Sequence, residues 1–132
     1  MLSDHYEISS PFSFAEFTCR CGCGTVDVDK KFLAKLEMAR QIANIPFIVT
    51  SGTRCIAHNN AVGGVDDSAH LPPTHACDIY IGNSSDRYVT LISLIRVGFK
   101  RIGIGVNFIH VDDDMTKPDE LVWVYNNERK IR

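Results

Sequence analysis

The sequence predicts an α+β fold: a small antiparallel sheet with two main helices packed on it. Three observations lead there. Residues 30–44 and 86–97 carry apolar side chains at helical spacing, with Leu33, Leu36 and Ala43 in the first and Val89, Leu91, Ile92, Leu94 and Ile95 in the second. Short β-rich runs occur at 47–51, 77–81, 101–111 and 121–125, each bounded by turn-forming residues. The 132 residues suffice for one hydrophobic core and are few for two, so 1–132 reads as a single domain.

In chain order, 1–12 reads as an irregular lead-in that ends past Pro11. Ser13 with Glu16 forms a capping-box pattern over a short helical turn, and Phe12, Phe14 and Phe17 are expected to dock it on the body. Cys19-Arg20-Cys21-Gly22-Cys23-Gly24 follows. In an extended chain, alternation puts its three thiols on one side, which suits a soft metal. The spacing is Cys-x-Cys-x-Cys, not the paired Cys-x-x-Cys of zinc ribbons, so the simpler reading is a tight Gly-containing turn with half-buried thiols. Val26 and Val28 suggest a short extended entry, and Asp29 caps the 30–44 helix, which Pro46 terminates. The strand 47–51 leads through Gly52-Thr53-Arg54-Cys55 into a short helix near 55–61, closed by Val62-Gly63-Gly64. Ser84 or Ser85 caps the second long helix and Gly98 ends it. Residues 101–106 and 108–111 read as a hairpin turning at Gly105-Val106-Asn107, 121–125 as a final strand, and 127–132 as a frayed tail.

Charge and hydropathy exclude several function classes. Lys and Arg total 14 against 16 Asp and Glu, without a basic cluster, so no nucleic-acid partner is expected. No apolar run approaches the ~18–20 residues of a membrane span. Met1–Glu7 has neither a basic nor an apolar leader segment, so cytoplasmic synthesis without a signal peptide is expected. Five cysteines cannot all pair within one chain, and cytoplasmic synthesis favours free thiols; no essential disulfide is expected.

The chemistry concentrates in two segments. Ser68-Ala69-His70-Leu71-Pro72-Pro73-Thr74-His75-Ala76-Cys77-Asp78 starts as a constrained loop and ends at the entry to a strand, with Asp78 facing away from the apolar row of Cys77, Ile79 and Ile81. Phe108-Ile109-His110-Val111-Asp112 is a second apolar strand carrying a histidine and an acid. Two imidazoles and one carboxylate on rigid strand ends suit Zn2+ with a fourth position left open. Such a position lets the metal activate water or polarise a carbonyl.

These residues carry a family resemblance. Ser68-x-His70 with Ala76-x-Asp78 resembles the Ser-x-His…Ala-x-Asp signature of the zinc D,D-carboxypeptidase and L-alanyl-D-glutamate endopeptidase family, which shares its fold with the signalling domain of hedgehog. Phe108-Ile109-His110-Val111-Asp112 is similar to the family's second motif. Thr50–Cys55, His58-Asn59-x-Ala61-Val62-Gly63-Gly64 and the cysteine run resemble small phage and prophage members. The resemblance spans roughly residues 12–112. Two departures stand out: His70 and Asp78 are eight residues apart where seven is usual, and Asn107 occupies a position where several relatives place an acid.

The resemblance implies zinc on His70, Asp78 and His110, and a metallopeptidase acting on bacterial cell-wall peptides as a monomer. The missing leader then suits a phage lysis enzyme or a tail-associated one. It also implies Arg54 in the cleft, binding a substrate carboxylate or stabilising an oxyanion. Ser68 is expected to order the loop. His110 and Asp112 share a strand face about 7 Å apart, so Asp112, and not Asn107, is the candidate general base; its alternative role is the acid that fixes a ligand histidine in its tautomer. His75 is a competing ligand in the altered loop; His58 reads as a helix-surface residue, and His5 carries no signal. The rival function is a zinc-binding virion or binding protein without turnover, and a cysteine-rich structural zinc module is a third.

Overall fold

The computed structural model describes residues 12–126. His5, the lead-in up to residue 11 and the tail 127–132 lie outside the described residues. The elements run in the order of a 3-10 turn (Phe14–Phe17), α1 (Lys30–Ala43), β1 (Val49–Ser51), α2 (Ile56–Ala61), β2 (Ala76–Tyr80), α3 (Ser84–Arg96), β3 (Arg101–Ile104), β4 (Phe108–Asp112) and β5 (Leu121–Val124).

Each helix starts where a side chain satisfies its first free N–H groups. Asp29 accepts from Phe32 N at 2.9 Å, and Glu16 accepts from Ser13 N at 2.9 Å. α3 begins two residues earlier than predicted, because Asn83, not either serine, accepts from Asp86 N at 2.8 Å. α1 stops at Asn44, whose left-handed φ of 58° closes it before Pro46 is reached. Phe32, Leu36, Ala39 and Ala43 form the buried stripe of α1, which packs along α3. In α3 the expected apolar face is corrected: Ile95 is exposed, and Thr90, Ser93 and Leu94 are buried. Ser93 tolerates this because its hydroxyl donates to Val89 O at 2.7 Å. Phe17 is fully buried with Phe12 edge-on to it, and Phe14 stays in solvent.

The sheet has five strands in the order β1-β2-β4-β3-β5. Four pair antiparallel as expected, with the hairpin turning at 105–107, where Gly105 N donates to Phe108 O. The prediction of a wholly antiparallel sheet is corrected at β5, which runs parallel to β3. The reason is topological. β4 ends at Asp112 beside Arg101, the first residue of β3, and both of its edges are already paired. The 113–120 connection therefore re-enters next to Arg101 and lays β5 along the free edge of β3 in the same direction.

Alternation divides the sheet into two faces. Cys77, Ile79, Ile102, Ile109 and Val111 join Phe32, Leu36, Ala39 and Leu94 in the core. On the opposite face, register aligns Ser51, Asp78, His110, Gly103 and Trp123 in one row across all five strands.

Candidate metal centre

That row brings Asp78 and His110 side by side as direct cross-strand partners. The 68–75 loop delivers His70 to them. Ser68 Oγ accepts from His70 N at 3.1 Å. Thr74 Oγ1 donates to His70 O at 2.9 Å, and Arg54 N donates to the same carbonyl at 2.8 Å. In the same loop Pro72 and Pro73 are joined by a cis peptide bond. His75 turns away; its Nδ1 lies 2.9 Å from Asp113 Oδ1, in a separate grouping with Asp29.

His70, Asp78 and His110 each offer a ligand atom within 4.8 Å of the others, and all three are buried. Their proton arrangement is legible. His70 Nδ1 is 2.7 Å from the carbonyl of Gly52 and donates to it, which leaves the Nε2 lone pair facing inward. That Nε2 is buried without a hydrogen-bond partner, although Asp78 Oδ1 is only 3.3 Å away. Burial holds the His70 pKa below its ordinary value, so this close pair is a neutral imidazole facing a carboxylate and not an ion pair. Burial also opposes charge on Asp78, but the protonated His110 hydrogen-bonded to it outweighs that and keeps the carboxyl ionised, below the usual carboxylate range. A buried lone pair aimed at a buried carboxylate is what a cation resolves, and imidazole with carboxylate suits zinc. The residues present therefore fit a zinc ion.

His110 is held from both sides, with Nδ1 at 2.9 Å from Asp78 Oδ1 and Nε2 at 2.7 Å from Asp112 Oδ2. Against the burial that would lower it, these two acids push its pKa up to about 9. Asp112 is itself fully engaged: Oδ1 accepts from Arg101 Nε at 2.7 Å and from Asp114 N at 3.1 Å. Arg54 is buried beside the same centre, its Nη2 3.8 Å from Asp78 Oδ2 and its Nη1 donating to Asn59 Oδ1 at 3.1 Å. Gly64 makes room for that contact, since a Cβ there would meet Asn59 Oδ1 at 2.1 Å. Asn107 sits exposed in the hairpin turn and His58 on α2; neither lines the cavity.

The three candidate ligands open onto a cavity of about 250 Å³. Arg54, Ser68 and Asp112 line it too, and so do four residues to which the sequence assigned no role: Arg101, Lys117, Trp123 and Tyr125. Trp123 forms a wall, with its ring centroid 5.7 Å from that of His110 and the Arg101 guanidinium 5.1 Å above it. Gly103 is the reason it fits, because a Cβ there would stand 2.6 Å from the indole Nε1. The alternation of Leu121, Trp123 and Tyr125 was the available signal; it marked one face of a strand without saying what that face would meet.

No curated protein matches the chain. The family model described as Peptidase M15 matches residues 10–112, a stretch that begins just before the 3-10 turn and closes on the last residue of β4. The shared segment thus contains every strand and loop that carries a candidate ligand, and the chain belongs to the peptidase M15 family of zinc-dependent metallopeptidases.

Proposed function

We propose that the chain is a zinc-dependent peptidase cleaving peptide bonds of bacterial peptidoglycan, in stem peptides or cross-links. The observation that carries this reading is the convergence of His70 Nε2, Asp78 and His110 Nδ1 at the floor of an open cavity. Zinc held there supplies Lewis acidity for amide hydrolysis. The chain's own residues do the rest. Gly52 O and Asp112 fix the two imidazoles in the tautomers that present His70 Nε2 and His110 Nδ1. Arg54 steadies the second oxygen of Asp78 and faces the cavity, where a guanidinium suits a substrate carboxylate or a developing oxyanion. Arg101, paired with Asp112, and Lys117, paired with Asp114, complete the polar part of the same walls. Of the two roles read for Asp112, its contacts support the orienting one over the general base.

One observation favours the rival reading of a zinc-binding protein without turnover. Among the described residues, the cavity's carboxylates are Asp78 and Asp112, and both are engaged. Mass spectrometry of purified muropeptides after incubation with zinc-loaded protein separates the two. Hydrolysis products that disappear in His110→Ala are expected, and their masses distinguish D-Ala release from cleavage between L-Ala and D-Glu. Unchanged peptides beside a zinc-bound protein would establish the rival. The resemblance of Thr50–Cys55 and of the cysteine run to small phage and prophage members supports a phage setting, with release at lysis or carriage in the particle.

A further inference from the structure

Folding brings a fourth cysteine to the Cys-x-Cys-x-Cys run. Cys55, 36 residues after Cys19 and the N-terminal cap of α2, lies with Cys19, Cys21 and Cys23 so that all four sulfurs fall within 4.8 Å of one another. None of the four is in a disulfide. From this cluster we infer that the chain carries a second metal site, a structural zinc bound by the thiolates of Cys19, Cys21, Cys23 and Cys55.

The spacing supports it. A tetrahedral site with zinc–sulfur bonds of ~2.3 Å has sulfur–sulfur edges of ~3.8 Å. The Sγ separations are 3.5 Å for Cys19–Cys21, 3.8 Å for Cys19–Cys55 and 3.7 Å for Cys21–Cys55. They are far beyond the ~2.05 Å of a disulfide and match three edges of the tetrahedron. Four soft donors in this shape suit zinc and disfavour hard ions such as magnesium and calcium.

The backbone is arranged as a thiolate site requires. Cys55 N points at Cys19 Sγ at 3.4 Å, His58 N at Cys55 Sγ at 3.4 Å and Thr25 N at Cys23 Sγ at 3.5 Å, each offering a donor to a sulfur. Gly22 and Gly24, at φ of 90° and 84°, let the chain wrap so that alternate residues converge. Arg20 holds the turn in place from behind, donating to Val49 O at 2.7 Å and Glu16 O at 3.0 Å. Cys77, the fifth thiol, is buried in the core away from the cluster.

The site's position indicates its use. It ties the 19–23 turn to Cys55, the residue after Arg54 and three after Gly52. Arg54 reaches the catalytic cavity, and Gly52 O fixes the His70 tautomer. Zinc on the four thiolates therefore clamps the segment that orients the other centre, releasing the thiol protons to solvent on binding.

The test is metal counting on the full chain, purified under reductant and reconstituted with zinc. Two zinc ions per chain are expected for the parent and one for His110→Ala. A cobalt-loaded His110→Ala protein should show the intense near-ultraviolet sulfur-to-metal charge transfer of a tetrahedral thiolate site. An organomercurial reagent should release that remaining zinc from His110→Ala as four thiols react, a readout that needs no cysteine variant to fold. Cys21→Ser with Cys23→Ser should lose this zinc and keep the zinc that depends on His110, and Cys77→Ala should keep both. A His110→Ala protein that binds no zinc while its thiols react freely would overturn the inference. So would a non-reducing peptide map that finds these cysteines paired as disulfides in protein prepared under reductant. Because the readout is metal content, the outcome is independent of whether the protein cleaves peptidoglycan.

Discussion

Replacing Asp112 by Asn separates the two roles open to that residue. The carboxylate accepts three hydrogen bonds, from His110 Nε2 on one oxygen and from Arg101 Nε and Asp114 N on the other. Asparagine has one carbonyl oxygen, and the pair of donors on the Arg101 side claims it. Its NH2 then faces His110 Nε2, which must become an acceptor, so the one remaining ring proton stays on Nδ1, the atom beside Asp78. The ligand nitrogen is thereby blocked in its resting tautomer. Loss of such an outer partner weakens metal binding ~10–100-fold, equivalent to ~1.4–2.7 kcal/mol. Competition against a chelator of known affinity measures this directly, with hydrolysis then assayed at saturating zinc. Zinc affinity at the parent level would refute the reasoning. If the rate at saturating zinc also fell ~10²–10⁴-fold, the range of general acid–base catalysis, Asp112 would be the base after all.

Three further outcomes follow from the same geometry. Gly103→Ala should displace the Trp123 indole, since the added Cβ would lie 2.6 Å from its Nε1; as Trp123 is the sole tryptophan, its emission should shift and hydrolysis should fall, whereas parent-like emission and rate would contradict the packing. Apparent zinc affinity should rise with pH up to about 9, because His110 must lose a proton to bind; a flat profile between pH 7 and 9 would show that the two acids do not hold that proton. For the metal-free protein the sign follows from the raised His110 pKa: its stabilising contribution is complete below ~6.5, the unfolded value, and is lost as pH rises through about 9, so thermal stability after chelation should decline over that window.

Much of the centre was legible because it rests on local pattern. The alternation of Cys77, Ile79 and Ile81 set Asp78 on the face opposite the core, and a period of two put His110 and Asp112 on one side of β4. Capping and periodicity placed α1 within a residue. What escaped was decided at long range. The partners of Asp112 come from Arg101 across a strand pair and from the backbone of the following loop, so the sequence left its role open. β5 is apolar throughout and carries no signal of strand direction, and only the occupied edges of β4 dictate that it pairs in parallel with β3. Trp123 and Lys117 enter the cavity through that pairing and the loop before it. Cys55 stood too far along the chain for a spacing rule to join it to Cys19, Cys21 and Cys23, which is why a turn looked simpler than a metal site.

The most direct test of the central claim is an anomalous difference map, recorded at the zinc absorption edge from crystals of the zinc-loaded protein. A peak is expected in the cavity at bonding distance from His70 Nε2, a carboxylate oxygen of Asp78 and His110 Nδ1, with His110 Nε2 still hydrogen-bonded to Asp112. An empty cavity, or a cavity peak coordinated by His110 Nε2 and Asp112 in place of Nδ1 and Asp78, would contradict it.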